Sequence, residues 1–82
     1  MELNSKITYR KIDDDVLVIT PWDNAMHLLD SVGRDIFLLI SENKTRKEIL
    51  EEIVSIYEVD KDTAKKDIDE FINNLIKKEI IL

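Results

Sequence analysis

The chain has no cysteine, and its 82 residues include a single glycine, a single proline and a single histidine. Without cysteine there are no disulfides, thiolate nucleophiles or cysteine-based metal sites. Acid–base chemistry would have to use His27 or a carboxyl group. No low-complexity tract or Pro/Gly/Ser-rich linker divides the sequence, so we expect one domain over residues 1–82 with one core.

Long apolar runs and a signal peptide are also missing. The longest apolar run, IFLLI, covers only Ile36–Ile40, which is too short to span a bilayer. We therefore expect a cytoplasmic protein without membrane contact. The net charge is −6, and most basic residues are interleaved with acidic ones. This argues against nucleic acid as a partner, because phosphate binding relies on clustered Lys and Arg.

The first third of the chain has the pattern of three short strands. Three segments alternate apolar with polar residues or are rich in β-branched and apolar residues. They are KITYRKI (Lys6–Ile12), VLVIT (Val16–Thr20) and AMHLL (Ala25–Leu29). The turns DDD and PWDN separate them, since Asp and Asn favour turns and proline cannot donate to a strand ladder. Such short connections predict an antiparallel meander.

The remainder has the pattern of three helices. Ser31 or Asp30 is expected to cap the first, which runs through Ser41, and Thr45-Arg-Lys-Glu fits a capping box that opens the second. The third begins near Asp60 or Asp62, and the apolar tail EIIL is expected to fold back on the core. Three strands followed by three helices predict an α+β domain, with the ingredients of a winged helix-turn-helix.

Little in the sequence supports catalysis or a cofactor. On a strand, His27 would point away from Met26 and Leu28 as an ordinary half-exposed residue. The three aspartates from Asp13 to Asp15 lack the glycine and distal glutamate of a calcium loop, so a hairpin turn explains them better. No catalytic triad, phosphate-cradling loop or metal-ligand set is present, and we expect no cofactor.

The third strand stands out because its edge carries no charged residue. In a three-stranded meander the first and third strands are both edges, and proteins commonly protect such edges with charge. Lys6, Arg10 and Lys11 protect the first strand, whereas AMHLL has no such residue. Either a peptide pairs with this edge by β-augmentation, or a helix or the tail already covers it.

The chain also resembles the PqqD family, the small proteins called RiPP recognition elements. The family pattern has seven parts in order: a strand ending in Leu-Asn, a small-residue turn with Gly, an Ile/aromatic/Leu helix, a Thr-x-x-Glu-Ile helix, an aromatic residue followed by Val-Asp, a helix with Asp-(x)3-Phe-Leu-x-x-Leu, and a Leu/Ile end. The matching segments are Leu29-Asp30, Ser31–Gly33, Ile36–Leu38, Thr45–Ile49, Tyr57–Asp60, Asp67–Leu75 and Ile80-Ile81. Asp30 replaces the more usual asparagine, and Trp22 falls outside the pattern.

The resemblance implies a non-catalytic, winged-helix-like domain. It would bind the leader of a ribosomally made precursor peptide and present it to a modifying enzyme or leader peptidase, as a monomer or weak homodimer. The leader would pair with the third strand and contact the third helix. The peptide-binding residues expected on this basis are Ala25, Met26, His27, Leu28, Leu29, Asp30, Ala64, Lys65, Asp67, Ile68, Phe71 and Leu75.

Two other functions use the same elements. A winged-helix DNA-binding protein would need a basic recognition helix, but Glu51 and Glu52 accompany Arg46 and Lys47 on the second helix. A homodimerisation or docking module would pair the AMHLL strand with its symmetry mate.

Overall fold

The computed structural model describes all 82 residues and has three strands followed by three helices, which confirms the predicted α+β class. The elements are β1 (Thr8–Ile12), β2 (Asp15–Thr20), β3 (Ala25–Leu29), α1 (Ser31–Ser41), α2 (Arg46–Tyr57) and α3 (Lys61–Lys77). β1 begins two residues later than the sequence pattern predicted, and β2 begins one residue earlier. The bounds of β3 are as predicted.

The strands form one antiparallel sheet in the order β1-β2-β3. β2 lies in the centre, where its Val16 pairs with Leu29 and its Val18 pairs with His27. Val16 and Val18 are completely buried, whereas the intervening Leu17 is not. Because strand side chains alternate between faces, these two valines define the inner face of the sheet.

Side-chain hydrogen bonds stabilise the turn between β2 and β3. The buried Thr20 hydroxyl donates to the Asp23 carboxylate, which also accepts the backbone N–H of Ala25 at 3.1 Å. The hydrogen bond from Thr20 is the main reason why the pKa of Asp23 lies below its ordinary value. Asn24 follows with φ 53°, a left-handed conformation that asparagine tolerates well.

The helices cover the inner face of the sheet and complete a single core. Its buried members are Val16, Val18, Ile36, Phe37, Ile40, Ile49, Ile53, Ile68, Ile72, Leu75, Ile80 and Ile81. Tyr9 on β1 joins the core through an edge-to-face contact with Phe37, with ring centroids 5.0 Å apart. No helix has the length and hydropathy needed to cross a membrane.

The helices begin where the sequence pattern predicted, and one of the two predicted caps is confirmed. Thr45 and Glu48 form the complete capping box of α2, and the Asp60 side chain accepts the N–H of Thr63 at the start of α3. Asp30 occupies the N-cap position of α1, but its side chain makes no capping hydrogen bond. Ser31 does not cap α1 either: it is the first helical residue and has φ 46°.

The C-terminal tail folds back on the core, as predicted. Ile80 and Ile81 are buried, and Ile81 forms an antiparallel bridge with Leu3. The N–H of Asn4 also donates to the carbonyl oxygen of Ile80 at 2.8 Å. The tail therefore pairs with the N-terminal segment and not with β3.

A polar cluster ties α1 to the rest of the chain. Asp35 accepts Arg34 Nε at 3.0 Å and also the Tyr57 hydroxyl at the end of α2. A second Arg34 nitrogen donates to the carbonyl oxygen of Asp14 in the β1–β2 turn. Partial burial alone would raise the pKa of Asp35, but the hydrogen bonds from Arg34 and Tyr57 outweigh it and lower the pKa.

The end of α2 generates a stability prediction. Glu58 has φ 51°, a left-handed conformation that costs a non-glycine residue about 1 kcal/mol or more. We expect Glu58→Gly to raise the free energy of unfolding by about 0.5–1 kcal/mol in urea denaturation. The matched Glu52→Gly change inside α2 should lower it by about 1 kcal/mol. Equal destabilisation by both changes would contradict this account.

The Asp35 cluster generates a pH prediction. Because the folded-state pKa of Asp35 lies below its ordinary value of 3.8, its stabilisation is present above that value. It is then lost as the pH falls through the lower folded-state pKa. We expect Asp35→Asn to lower the free energy of unfolding by about 1–3 kcal/mol at pH 7, and the difference from the parent protein to shrink in acid.

Urea denaturation at pH 7 and at about pH 3 measures this difference. The control is Asp67→Asn, because the Asp67 carboxylate is exposed and makes no hydrogen bond or ion pair. Its effect should be small at both pH values. An Asp35→Asn deficit that stays constant with pH would refute the electrostatic explanation.

Candidate peptide-binding site

β3 has one open edge. It pairs with β2 on one side only, and the tail that was the other candidate partner pairs with Leu3. Apart from the strand ladder, polar contacts reach the backbone of β3 only at Ala25. Its N–H donates to Asp23, and its carbonyl oxygen lies 3.4 Å from the Thr20 hydroxyl. From Met26 to Leu29, the outer edge of the strand therefore has no partner within the chain.

The register determines which backbone groups face this edge. Ile12 and Asp15 flank a two-residue turn and form the hydrogen-bonded pair that closes the first hairpin. Backbone direction alternates along a strand, so the even-numbered residues of β2 point toward β3. Their partners on β3 are the odd-numbered residues. The N–H and C=O groups of Met26 and Leu28 consequently point away from the sheet and are free to pair.

The side chains of β3 divide between the two faces. Met26 and Leu28 lie on the outer face, where they are 71% and 61% exposed. His27 and Leu29 turn inward and are half-buried, as the strand alternation predicted for His27. His27 Nε2 lies 3.2 Å from the Thr20 hydroxyl, which already donates to Asp23, so this trio does not provide an activated nucleophile.

The line of apolar residues predicted on α3 is present, but most of it belongs to the core. Ala64, Ile68 and Leu75 are buried, whereas Phe71 is half-buried. Ala64 and Ile68 also line a cavity of about 70 Å³, together with Val32 of α1 and Asp67. Phe71 therefore offers the largest accessible apolar surface of this line.

Gly33 brings the start of α1 close to Phe71. A Cβ atom at Gly33 would lie 3.0 Å from Phe71 Cε1, tighter than nearly all such contacts. Gly33 does not have a positive φ, so the close approach and not the backbone conformation explains this glycine. An isolated glycine in a helical pattern is the one sequence signal for this contact, but it does not identify Phe71 as the neighbour.

The two charged residues predicted on either side of the α3 line lie on opposite flanks. Positions 65 and 67 are about 200° apart around a helix. Asp67 lines the same cavity as Val32 and the end of α2 at Tyr57, whereas Lys65 faces the start of α2 and binds Asp69 at 3.2 Å. Only Asp67 therefore shares a flank with Phe71.

We give the name strand–helix groove to a candidate binding surface made of three segments: the open edge of β3 from Met26 to Leu29, the first turn of α1 at Val32 and Gly33, and the α3 flank with Asp67 and Phe71. Of these, Gly33 and Phe71 are in close contact. α1 begins two residues after β3 ends, which brings the C-terminal end of the strand close to this flank. Asp30 is exposed at the junction, and Ala25 lies at the far end of the strand. No group of three or more His, Asp or Glu side chains is arranged to hold a metal ion.

Two solved structures are highly similar to the chain. The first is described as "TbiB1 in Complex with the TbiA(beta) Leader Peptide"; it has 31% sequence identity and a TM-score of 0.93, over 98% of this chain and 93% of that one. The second, described as "Lasso peptide synthetase B1 complexed with the leader peptide", has 17% identity and a TM-score of 0.90, over 99% and 95% of the two chains. The second likeness concerns the fold alone.

The sequence comparison identifies a family. No curated protein shows a significant match to the chain. The family model described as Coenzyme PQQ synthesis protein D (PqqD) matches residues 14–81, which include all of β2, β3 and the three helices. The chain belongs to the PqqD family.

Proposed function

We propose that this protein binds the leader region of a ribosomally synthesised precursor peptide and presents it to a modifying enzyme or leader peptidase. The leader adds a strand to β3 and lies in the strand–helix groove. The observation that carries the proposal is the open edge of β3 beside Phe71 and Asp67. TbiB1, which is 31% identical to this chain and is described in complex with a leader peptide, supports it.

The energetics of this mode require side-chain contacts as well as backbone pairing. Each ladder hydrogen bond contributes only about 0.5–1.5 kcal/mol net, and Met26 and Leu28 offer two N–H and two C=O groups. Affinity and selectivity therefore come from leader side chains that reach Phe71 and the small cavity at Val32. The buried Ala64, Ile68 and Leu75 support this wall from beneath.

The proposed role requires no bond to be made or broken by this chain. Residues 1–82 would act as one binding domain, a peptide chaperone that holds the leader while another protein performs the chemistry. Ribosomal precursors are made in the cytoplasm, so we place the binding step there. A DNA-binding role has less support, because Glu48, Glu51 and Glu52 accompany the cations of α2 and would repel phosphate.

A backbone-amide NMR titration of the labelled protein tests the proposal directly. The first probe is the TbiA(β) leader peptide, followed by other precursor leaders, with a short DNA duplex as the control. We expect chemical-shift changes confined to Met26–Leu29 and to the Asp67–Phe71 flank. Edge amides that are protected from exchange, together with no response to any leader, would instead favour self-pairing of β3.

Proline at the edge should block binding without unfolding the sheet. The N–H of Leu28 faces the open edge, so Leu28→Pro removes a donor to the leader but no bond to β2. We expect at least a tenfold loss of leader affinity by calorimetry, with a native circular dichroism spectrum. The matched change is Lys11→Pro, at an outward-facing position of the β1 edge, which should keep leader affinity within twofold. Unchanged affinity in a folded Leu28→Pro variant would contradict β-augmentation.

Charge reversal distinguishes the two flanks of α3. Asp67→Lys changes the charge beside Phe71, so we expect it to alter leader affinity by about threefold or more, in the direction set by the leader's own charge. Lys65→Glu acts on the opposite flank and should leave affinity within twofold. A larger effect of Lys65→Glu would mean that the leader lies on the α2 side of α3. Thermal unfolding of both variants checks that the fold is intact.

A further inference from the structure

A second groove lies between α2 and α3, on the flank of α3 opposite Asp67. It has a volume of about 290 Å³, and Leu50 and Ile68 form its apolar floor. Three cations and one carboxylate surround this floor: Arg46, Lys47, Lys65 and Asp69. We call this surface the α2–α3 groove.

Asp69 holds two of the cations in place. Its carboxylate accepts an Arg46 guanidinium nitrogen at 2.8 Å and Lys65 Nζ at 3.2 Å, so both side chains are oriented across the groove. Lys47 makes no hydrogen bond or ion pair with the chain. The groove therefore has a net positive charge and one cation that is available to a ligand.

The positions of these cations are unfavourable for the helix itself. Arg46 and Lys47 are the first two residues of α2, where the positive end of the helix dipole disfavours cations. The whole chain has a net charge of −6, so the cluster is not a result of a basic composition. Arg46 is compensated by its ion pair with Asp69, but Lys47 gains no such contact. A departure from local rules without a structural gain commonly marks a functional surface.

We propose that the α2–α3 groove binds an acidic, partly aliphatic peptide segment of the enzyme that receives the leader. An aliphatic side chain of that segment would contact Leu50 and the 2% of Ile68 that is exposed, and its carboxylates would meet Lys47 and the cations held by Asp69. The inference rests on the proposed function for the identity of the partner. Because the two grooves lie on opposite flanks of α3, the leader and the enzyme segment can be bound together.

The composition of the groove favours a protein segment over other anions. A nucleic acid backbone or free phosphate gains nothing from the apolar floor, whereas an aliphatic side chain does. A second copy of the chain has the same net charge of −6, which opposes association. A segment that combines carboxylates with an aliphatic side chain matches both the rim and the floor.

An NMR titration of the full chain with short synthetic peptides tests the proposal. The probe is a blocked pentapeptide that alternates aspartate and leucine, and the control peptide replaces each aspartate with lysine. We expect weak binding of the acidic peptide, with shift changes at Arg46–Leu50 and Lys65–Asp69, and at least a fivefold loss of affinity at high salt. A similar response to the basic peptide, or to inorganic phosphate, would overturn the proposal.

Two substitutions of single lysines provide the matched test. Lys47→Glu removes the available cation, and a glutamate in the first turn suits the helix, so the fold should persist. We expect it to weaken binding of the acidic peptide about fivefold or more. Lys66→Glu makes the same change at an exposed, unpaired position on the outer face of α3 and should have an effect below twofold. Equal effects of the two changes would overturn the proposed site.

The same sample separates this proposal from the proposed function. A leader peptide is titrated into the protein after the acidic peptide, and its shift changes are followed at Met26–Leu29. Leader binding at β3 without an acidic-peptide response at the α2–α3 groove would overturn this inference and leave the proposed function standing. Acidic-peptide binding without any leader response would overturn the proposed function. The segment bound by the α2–α3 groove would then belong to another partner.

Discussion

The two-residue period of β2 is the constraint on which the rest of the structure depends. β2 is the only strand with neighbours on both sides, and Val16 and Val18 are completely buried. A shift of one residue in its pairing would expose both valines, so the register is strongly specified. That register in turn directs the free backbone groups of Met26 and Leu28 outward, and it places the side chain of His27 on the inner face.

Glycine is used in an unusual way in this chain. Six residues other than glycine have a positive φ, and they lie at turns and element ends: Asp13, Asn24, Ser31, Asn43, Glu58 and Glu79. The only glycine, Gly33, has none of this strain and instead allows Phe71 to approach α1. Polar and charged residues therefore adopt the strained left-handed backbone conformations, whereas the glycine lies beside the strand–helix groove. Close packing of α3 against the start of α1 therefore depends on Gly33.

Much of the fold could be predicted from the sequence, because local signals determine it. The period of two identified the strands, the Thr45 capping box fixed the start of α2, and the missing charge on AMHLL marked the open edge. The pairing of the tail with Leu3 and the packing of Phe71 on Gly33 could not be predicted, because both join residues that are distant in sequence. A helical stripe likewise identifies a face but not its neighbours. The spacing places Lys65 and Asp67 on either side of the α3 line, but it does not show that Lys65 faces the start of α2.

The arrangement of α3 would suit the proposed role of bringing a leader peptide and a partner enzyme together. Its core-facing line, which includes Ile68 and Leu75, fixes the helix rigidly, so the two flanks keep a constant separation. A leader bound on the Asp67 flank would not compete with a ligand on the Lys65 flank, and no conformational change would be needed for both to bind. If α3 has a single arrangement, neither ligand can favour one state of the protein over another. Any cooperativity between the two sites would then come from direct contact between the leader and the enzyme.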